Sequence, residues 1–161
     1  FVVGRLTPVL IAENWPQWMG PNRDNVWSPD RKLEKFPQGG PRPLWRAEIS
    51  SGYSGPAVMD DDVIITDFVT KENVLIDNFG RKAFEGVERV LCLSAKDGRI
   101  KWKYEYPMTT TVSYPAGPRC TPIIEEDRVT TLGSEGHLAC LSRKDGRLIW
   151  KRELREDYQT N

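Results

Sequence analysis

Residues 88–103, ERVLCLSAKDGRIKWK, and residues 136–151, GHLACLSRKDGRLIWK, are two copies of one segment. Leu93 and Leu141, Asp97 and Asp145, Gly98 and Gly146, and Trp102 and Trp150 all stand 48 residues apart. Self-similarity at a period in the forties restricts the chain to repeat architectures, in which each unit buries its apolar faces against its neighbours. ERVLCLS and GHLACLS are short, partly continuous apolar runs, as expected for strands covered on both faces. The K-D-G-R sequences that follow read as hairpin turns, because glycine accepts the positive φ of a tight turn. RIKWKYEY and RLIWKREL alternate more clearly, with Ile100, Trp102 and Tyr104 on one face and Leu148, Trp150 and Arg152 on its equivalent. Each copy thus pairs a doubly covered strand with a half-exposed outer one.

A second correspondence lies upstream. GPAVMDDDVIIT (55–66) matches TPIIEEDRVTTL (121–132), strand, acidic turn and strand, with Pro56 opposite Pro122. Its offset is 66 instead of 48, so the first unit carries 18 more residues before its D-G hairpin. The insertion falls at about 68–87 and, being polar and glycine-bearing, reads as an extended loop. Each unit is then four antiparallel strands: about 54–59, 62–67, 88–94 and 99–106 in the first, and about 121–125, 128–133, 136–142 and 147–154 in the second. Four-stranded sheets at this period are β-propeller blades. PLWRAEIS (43–50) echoes the outer Trp strand without a blade before it, which suits a ring-closing strand carrying Trp45.

The fold expected is therefore all-β, with about two blades present. Propellers use roughly four to eight blades, so the reading is an N-terminal fragment of a larger ring, or a chain that self-associates to complete one. The expected divisions are 1–13, a signal-peptide remnant or tail; 14–50, a lead segment with the ring-closing strand; 51–108, blade 1; and 109–161, blade 2 with the start of the next connection. FVVGRLTPVLIAEN is fairly apolar, though Arg5 and Pro8 interrupt it, and has Ala12 near a cleavage point; it reads as the tail of a secretory signal, implying a periplasmic or secreted protein, or as an ordinary N-terminal strand.

Charge and composition exclude several classes. The 23 basic and 23 acidic residues cancel, so no bulk field favours nucleic acid. No stretch approaches the roughly 20 apolar residues of a membrane span. Cys92 and Cys140 share one repeat position within apolar strands and read as core thiols; Cys120 has no evident partner. No CxxC or Cys/His cluster suggests a structural metal.

SAKDGRIKWK and SRKDGRLIWK resemble the pyrroloquinoline-quinone-like repeat, whose pattern is A-x-D-x-x-T-G-x-x-x-W. Gly98 to Trp102 and Gly146 to Trp150 match its core; Asp97 and Asp145 stand at the usual Thr, and Ser94 and Ser142 at the usual first Asp. NWPQWMGPNRDNVW (14–27) is similar to the WPQWRGPNRDG lead segment of secreted bacterial members, and GYSGPAV and YPAGPRCTP fit the same group. The resemblance spans about 14–154. It implies an eight-bladed propeller whose blade tryptophans, here Trp102, Trp150 and Trp45, dock between neighbouring blades. It implies two functions: a non-catalytic envelope scaffold, or a quinone-dependent dehydrogenase using pyrroloquinoline quinone and calcium. The enzymes of the fold show vicinal cysteines and a Glu/Asn/Asp calcium set; this chain has no Cys-Cys pair, and such ligands would then lie outside it. The scaffold is the preferred reading, with no catalytic residue assigned and no cofactor demanded.

Candidate sites follow from position. His137, the one histidine, aligns with Arg89 and reads as a strand-end surface residue. Asp60-Asp61-Asp62 lacks EF-hand spacing, has a twin in Glu125-Glu126-Asp127, and reads as a solvated turn. Gly52-Tyr53-Ser54-Gly55-Pro56 leads into a strand, unlike a nucleophile elbow. Where each innermost strand begins, near one mouth of a propeller channel, stand Tyr53 and Ser54 in blade 1 and Tyr114, Arg119 and Cys120 in blade 2. Tyr and Arg grip envelope proteins or a small ligand well; the competing reading is that these residues only cap the channel. Trp15 and Trp18 are expected to pin the lead segment to the propeller flank.

Overall fold

A computed structural model describes residues 13–27, 35, 38–74, 82–111 and 117–159. It is all-β. One sheet orders β1 (Ala57–Met59), β2 (Asp62–Val69), β3 (Phe84–Ser94) and β4 (Ile100–Thr110) consecutively; the other orders β5 (Ile123–Ile124), β6 (Arg128–Leu132), β7 (His137–Ser142) and β8 (Leu148–Glu153). All pairings are antiparallel. A single helical turn, α1 (Leu154–Asp157), follows β8. Residues 1–12, expected as part of a signal-peptide remnant or tail, lie outside the described residues.

The two sheets are copies down to their irregularities. Ala57 faces Ile64 and Ile123 faces Thr130, at the 66-residue offset; Cys92 faces Trp102 and Cys140 faces Trp150, at the 48-residue offset. The ladder shifts register immediately after each cysteine, leaving Lys101 and Ile149 as the extra residues of equivalent bulges. Each D-G turn closes identically. Gly98 N–H donates to the Ser94 carbonyl at 2.8 Å and Ser94 N–H to that of Arg99 at 2.8 Å; Gly146, Ser142 and Arg147 repeat both bonds. The Asp carboxylate before each Gly accepts from the amide two residues on, at 3.2 Å in both turns.

Alternation along the central strands builds two cores. Ile64, Val90, Cys92 and Trp102 pack with Ile124, Val129, Ala139 and Leu141 of the second sheet. Ile65, Leu91 and Leu93 project to the opposite face, where Trp45, Ala47 and Val63 cover them. The continuous apolar runs of β2 and β3 thus reflect a sheet covered on both faces.

Three tryptophans occupy equivalent places with different outcomes. The Trp102 indole N–H donates to the Arg143 carbonyl at 2.8 Å, and its ring lies flat on Gly146, where a Cβ would approach within 2.5 Å. Trp45 makes the same pair of contacts one repeat earlier: 2.7 Å to the Ala95 carbonyl, with its ring on Gly98. Both glycines also hold φ near +70° (73° and 71°), a region disfavoured for L side chains. Trp150 is 43% exposed, against 8% for Trp102. Residues 43–50, expected as a ring-closing strand, pair with no other strand; an isolated bridge follows at Ser51–Phe68.

The insertion at 68–87 is not simply a loop. β2 runs to Val69 and β3 starts at Phe84, so the two ends of the insertion lengthen β2 and β3, and β4 extends to Thr110 alongside them. Phe68 and Phe84 are fully buried there with Val74 and Met108 against them. Gly86 sits inside β3 because a Cβ would meet the Val69 carbonyl and the Phe68 ring. Residues 75–81 lie outside the described part.

Candidate functional site

β1 and β5 lie beside each other where the sheets converge, which makes them the innermost strands. The segments leading into them meet closely. Gly117, at φ +131°, lies against the backbone of Ser51 and Gly52, where a Cβ would approach within 2.5 Å, and Tyr53 N–H donates to the Pro118 carbonyl at 2.9 Å. This seam brings Tyr53 and Arg119 together: the guanidinium carbon stands 5.4 Å from the Tyr53 ring centroid, a cation–π arrangement. Tyr53 is 57% exposed, and Arg119 and Cys120 are exposed beside it. Ser54 does not join them. Its hydroxyl donates to the Thr66 carbonyl at 3.1 Å and accepts from the Thr66 hydroxyl at 2.7 Å, tying the segment to β2. Tyr114 lies outside the described residues.

The lead segment occupies the inner strands and not the flank expected for it. Trp15 and Val58 exchange both backbone hydrogen bonds, at 2.8 and 2.9 Å, and Ile124 N–H donates to the Pro16 carbonyl at 2.8 Å. Residues 15–16 therefore run along β1 and reach β5. A turn follows in which Asn25 N–H returns to the Met19 carbonyl at 2.9 Å, leaving Trp18 68% exposed.

Two polar clusters join the sheets, and the sequence reading missed both. Asp62 belongs to no solvated turn. It is buried, and its carboxylate takes Lys101 Nζ on one oxygen and Arg143 Nε, at 2.7 Å, on the other. Arg143 also donates through Nη2 to the Met59 carbonyl at 3.0 Å and to Asp60 at 2.9 Å. Burial would raise the Asp62 pKa, but the Lys101 and Arg143 hydrogen bonds outweigh it and hold the carboxyl below the usual aspartate range.

His137 is likewise no surface residue, at 3% exposed. Its Nδ1 lies 2.7 Å from Glu153 Oε1, its Nε2 lies 3.1 Å from the Tyr104 hydroxyl, and the Tyr106 ring stacks on it at 3.8 Å between centroids. An imidazole protonated on Nδ1 satisfies both partners at once. Tyr106 donates to the fully buried Glu88 at 2.5 Å; Glu88 also accepts from the Ser134 amide at 3.1 Å and hydroxyl at 2.5 Å. Burial, and then the Glu88 charge, push the Tyr106 phenol far up, so it stays a hydrogen-bond donor. Tyr104 and Tyr106 on His137, and Ser134 on Glu88, carry the cluster across the blade interface, and with each of these groups engaged the cluster serves packing. The tyrosines come from β4, so only the pairing of repeats in space could reveal it.

The three cysteines are free. Cys92 and Cys140 are buried; burial, then the nearby Asp62 charge, pushes the Cys92 thiol up to about 12, and burial raises Cys140. A maleimide should therefore modify Cys120 alone in the native protein and all three cysteines after denaturation, as counted by intact mass. Prompt native modification of Cys92 would contradict the packing.

Among the described residues no group of His, Cys, Asp and Glu is placed to hold a metal ion, and no helix is long and apolar enough to cross a membrane. No curated protein matches the chain. The family model described as outer membrane protein assembly factor BamB, of the pyrroloquinoline-quinone-like repeat type, matches residues 38–161. Both blades fall within that match, and the chain belongs to this β-propeller repeat family.

Proposed function

We propose that the chain is part of a non-catalytic propeller scaffold of the bacterial cell envelope, which binds a protein partner where its innermost strands begin. The family suggests either a propeller scaffold or a quinone-type enzyme. The Tyr53–Arg119 pair carries the choice: an exposed ring beneath a guanidinium, held where Gly117 packs on the Gly52 backbone and Tyr53 N–H bonds to Pro118. Tyr and Arg are the residue types that dominate protein-binding hot spots. The buried carboxylates of Asp62, Asp67 and Glu88 support it too, since each is committed to internal partners: Lys101 and Arg143, Arg89, and Tyr106 with Ser134.

The test uses Cys120 as a native cross-linking handle beside the pair. In envelope fractions, a thiol-directed cross-linker should capture one defined protein, and Tyr53→Ala with Arg119→Ala should reduce its yield at least tenfold with the fold unchanged. Equal capture by the double variant would overturn the site. Alcohol or sugar oxidation by the protein supplied with pyrroloquinoline quinone and calcium would overturn the non-catalytic reading in favour of the dehydrogenase.

A further inference from the structure

Indoles and D-G turns are shared out unequally along the chain. Trp102 lies on Gly146 and bonds to the Arg143 carbonyl; Trp45 lies on Gly98 and bonds to the Ala95 carbonyl. Both K-D-G turns of the sequence are thus occupied by indoles of the same chain. The equivalent indole of the second repeat, Trp150, is 43% exposed.

The faces behind these contacts correspond row by row. The register aligns Ala57, Ile64, Cys92 and Trp102 across blade 1, and this row packs on Val129, Ala139 and Leu141 of blade 2. The same row in blade 2 is Ile123, Thr130, Cys140 and Trp150, with Ile123 and Thr130 half-buried. The blade 1 counterparts of Val129, Ala139 and Leu141 are Val63, Leu91 and Leu93, and on them lie Trp45 and Ala47. Residues 43–50 therefore stand where a neighbouring blade would dock. They join no sheet, and are held by the Trp45 indole N–H and by the Ser50 amide, which donates to Asp67 Oδ2 at 2.6 Å.

We propose that residues 43–50 are a strap that blocks head-to-tail association of copies of this chain: they fill the face of blade 1 that fits the Trp150 face of a second copy, and lifting them opens it. Two differences make the contact between copies weaker than the one inside the chain. Ala95 and Arg128 stand where Arg143 and Asp62 form their ion pair, and Arg152 stands where Tyr104 meets His137, opposite Arg89. The Arg89 charge is answered by Asp67, so burial of the apolar row and the indole drives the association. A strap on the same chain acts at a high effective concentration and prevails over a second copy. The two faces differ, so the contact is heterologous and extends into open chains or rings. None of these residues belongs to the Tyr53–Arg119 site, and the inference is independent of the partner proposed for it.

Analytical ultracentrifugation of the 161-residue chain over a wide concentration range gives the test, with a circular dichroism melt to check each fold. The parent chain and Trp150→Ala are expected to be monomers. Trp45→Ala should form assemblies larger than dimers, with a mean mass that rises with concentration. Trp45→Ala combined with Trp150→Ala should return to monomer although the same blade 1 face is uncovered. Mixed with the parent chain, this double variant should stop at a one-to-one pair, because one partner has only the open face and the other only the free indole. Trp45→Phe keeps a ring on Gly98 and loses the indole donor; it should associate at roughly tenfold higher concentration than Trp45→Ala. Where Trp45→Ala does not melt cooperatively, Trp45→Phe with and without Trp150→Ala carries the same test. Association of the parent chain would overturn the proposal. So would variants at Trp45 that stay monomeric, assembly by the double variant alone, or absence of the mixed pair.

Discussion

Trp102→Ala is expected to lower the unfolding free energy of this chain by about 3–5 kcal/mol, while Trp150→Ala costs less than about 1 kcal/mol. The two residues hold the same position in their repeats, each opposite a cysteine at a bulge. Their surroundings differ. Trp102 is enclosed by apolar side chains from both sheets and donates its indole N–H across the interface to Arg143. Trp150 is 43% exposed, so its removal takes away little buried area. Gly146→Ala should reproduce part of the Trp102 loss. Its Cβ would stand 2.5 Å from the Trp102 ring on a backbone at φ +71°, and both the clash and the conformation act against the folded state. Urea unfolding of the variants under one condition decides the matter. Equal losses for Trp102→Ala and Trp150→Ala would show that docking on the neighbouring blade is not what stabilises this tryptophan.

What the sequence made legible is what local pattern and duplication determine. The 48-residue offset located both D-G turns, and the 66-residue offset placed Pro56 and Pro122 ahead of equivalent strands. The partly continuous apolar run ERVLCLS, in β3, correctly implied two covered faces, since Val90 and Cys92 serve one core and Leu91 and Leu93 the other. The insertion was misread because Gly86 and the polar residues around it look like loop. Gly86 is a strand residue under the Phe68 ring, and that ring lies far away in sequence. His137 was misread by the very alignment that revealed the blades. Arg89, its counterpart, turns to Asp67 with two hydrogen bonds of 2.8 and 2.5 Å, whereas His137 turns to Tyr104 and Tyr106 of the other sheet. Repeats share backbones; their inter-blade side chains diverge, and one sequence does not show which ones meet. At the candidate site, the positions of Tyr53 and Arg119 were readable from strand starts, but their stacking and the loss of Ser54 to Thr66 were not.

The Arg143 cluster gives the second large effect. Arg143→Ala should destabilise the chain by about 3 kcal/mol, the lower end of the range for breaking a buried ion pair, because both Asp62 and Arg143 keep only slight solvent access. The loss is not that of one salt bridge. The guanidinium also neutralises Asp60 and caps the Met59 carbonyl, so its removal leaves Asp62 with Lys101 and the Cys92 thiol. The same pairing predicts an acid response. Because the Asp62 carboxyl is held below its unfolded value, its contribution is fully present above the ordinary aspartate pKa of about 4. It is lost as the pH falls below that value and the folded carboxyl takes up its proton. In Arg143→Ala the depression is smaller, so the variant's stability should fall less between pH 5 and 3, and the gap to the parent protein should narrow as the pH drops. Unfolding curves at pH 7, 5, 4 and 3 test this directly. A gap that stays constant over that range would mean that Arg143 acts through packing of its aliphatic stem, and that the charge of Asp62 contributes nothing to holding the two blades together.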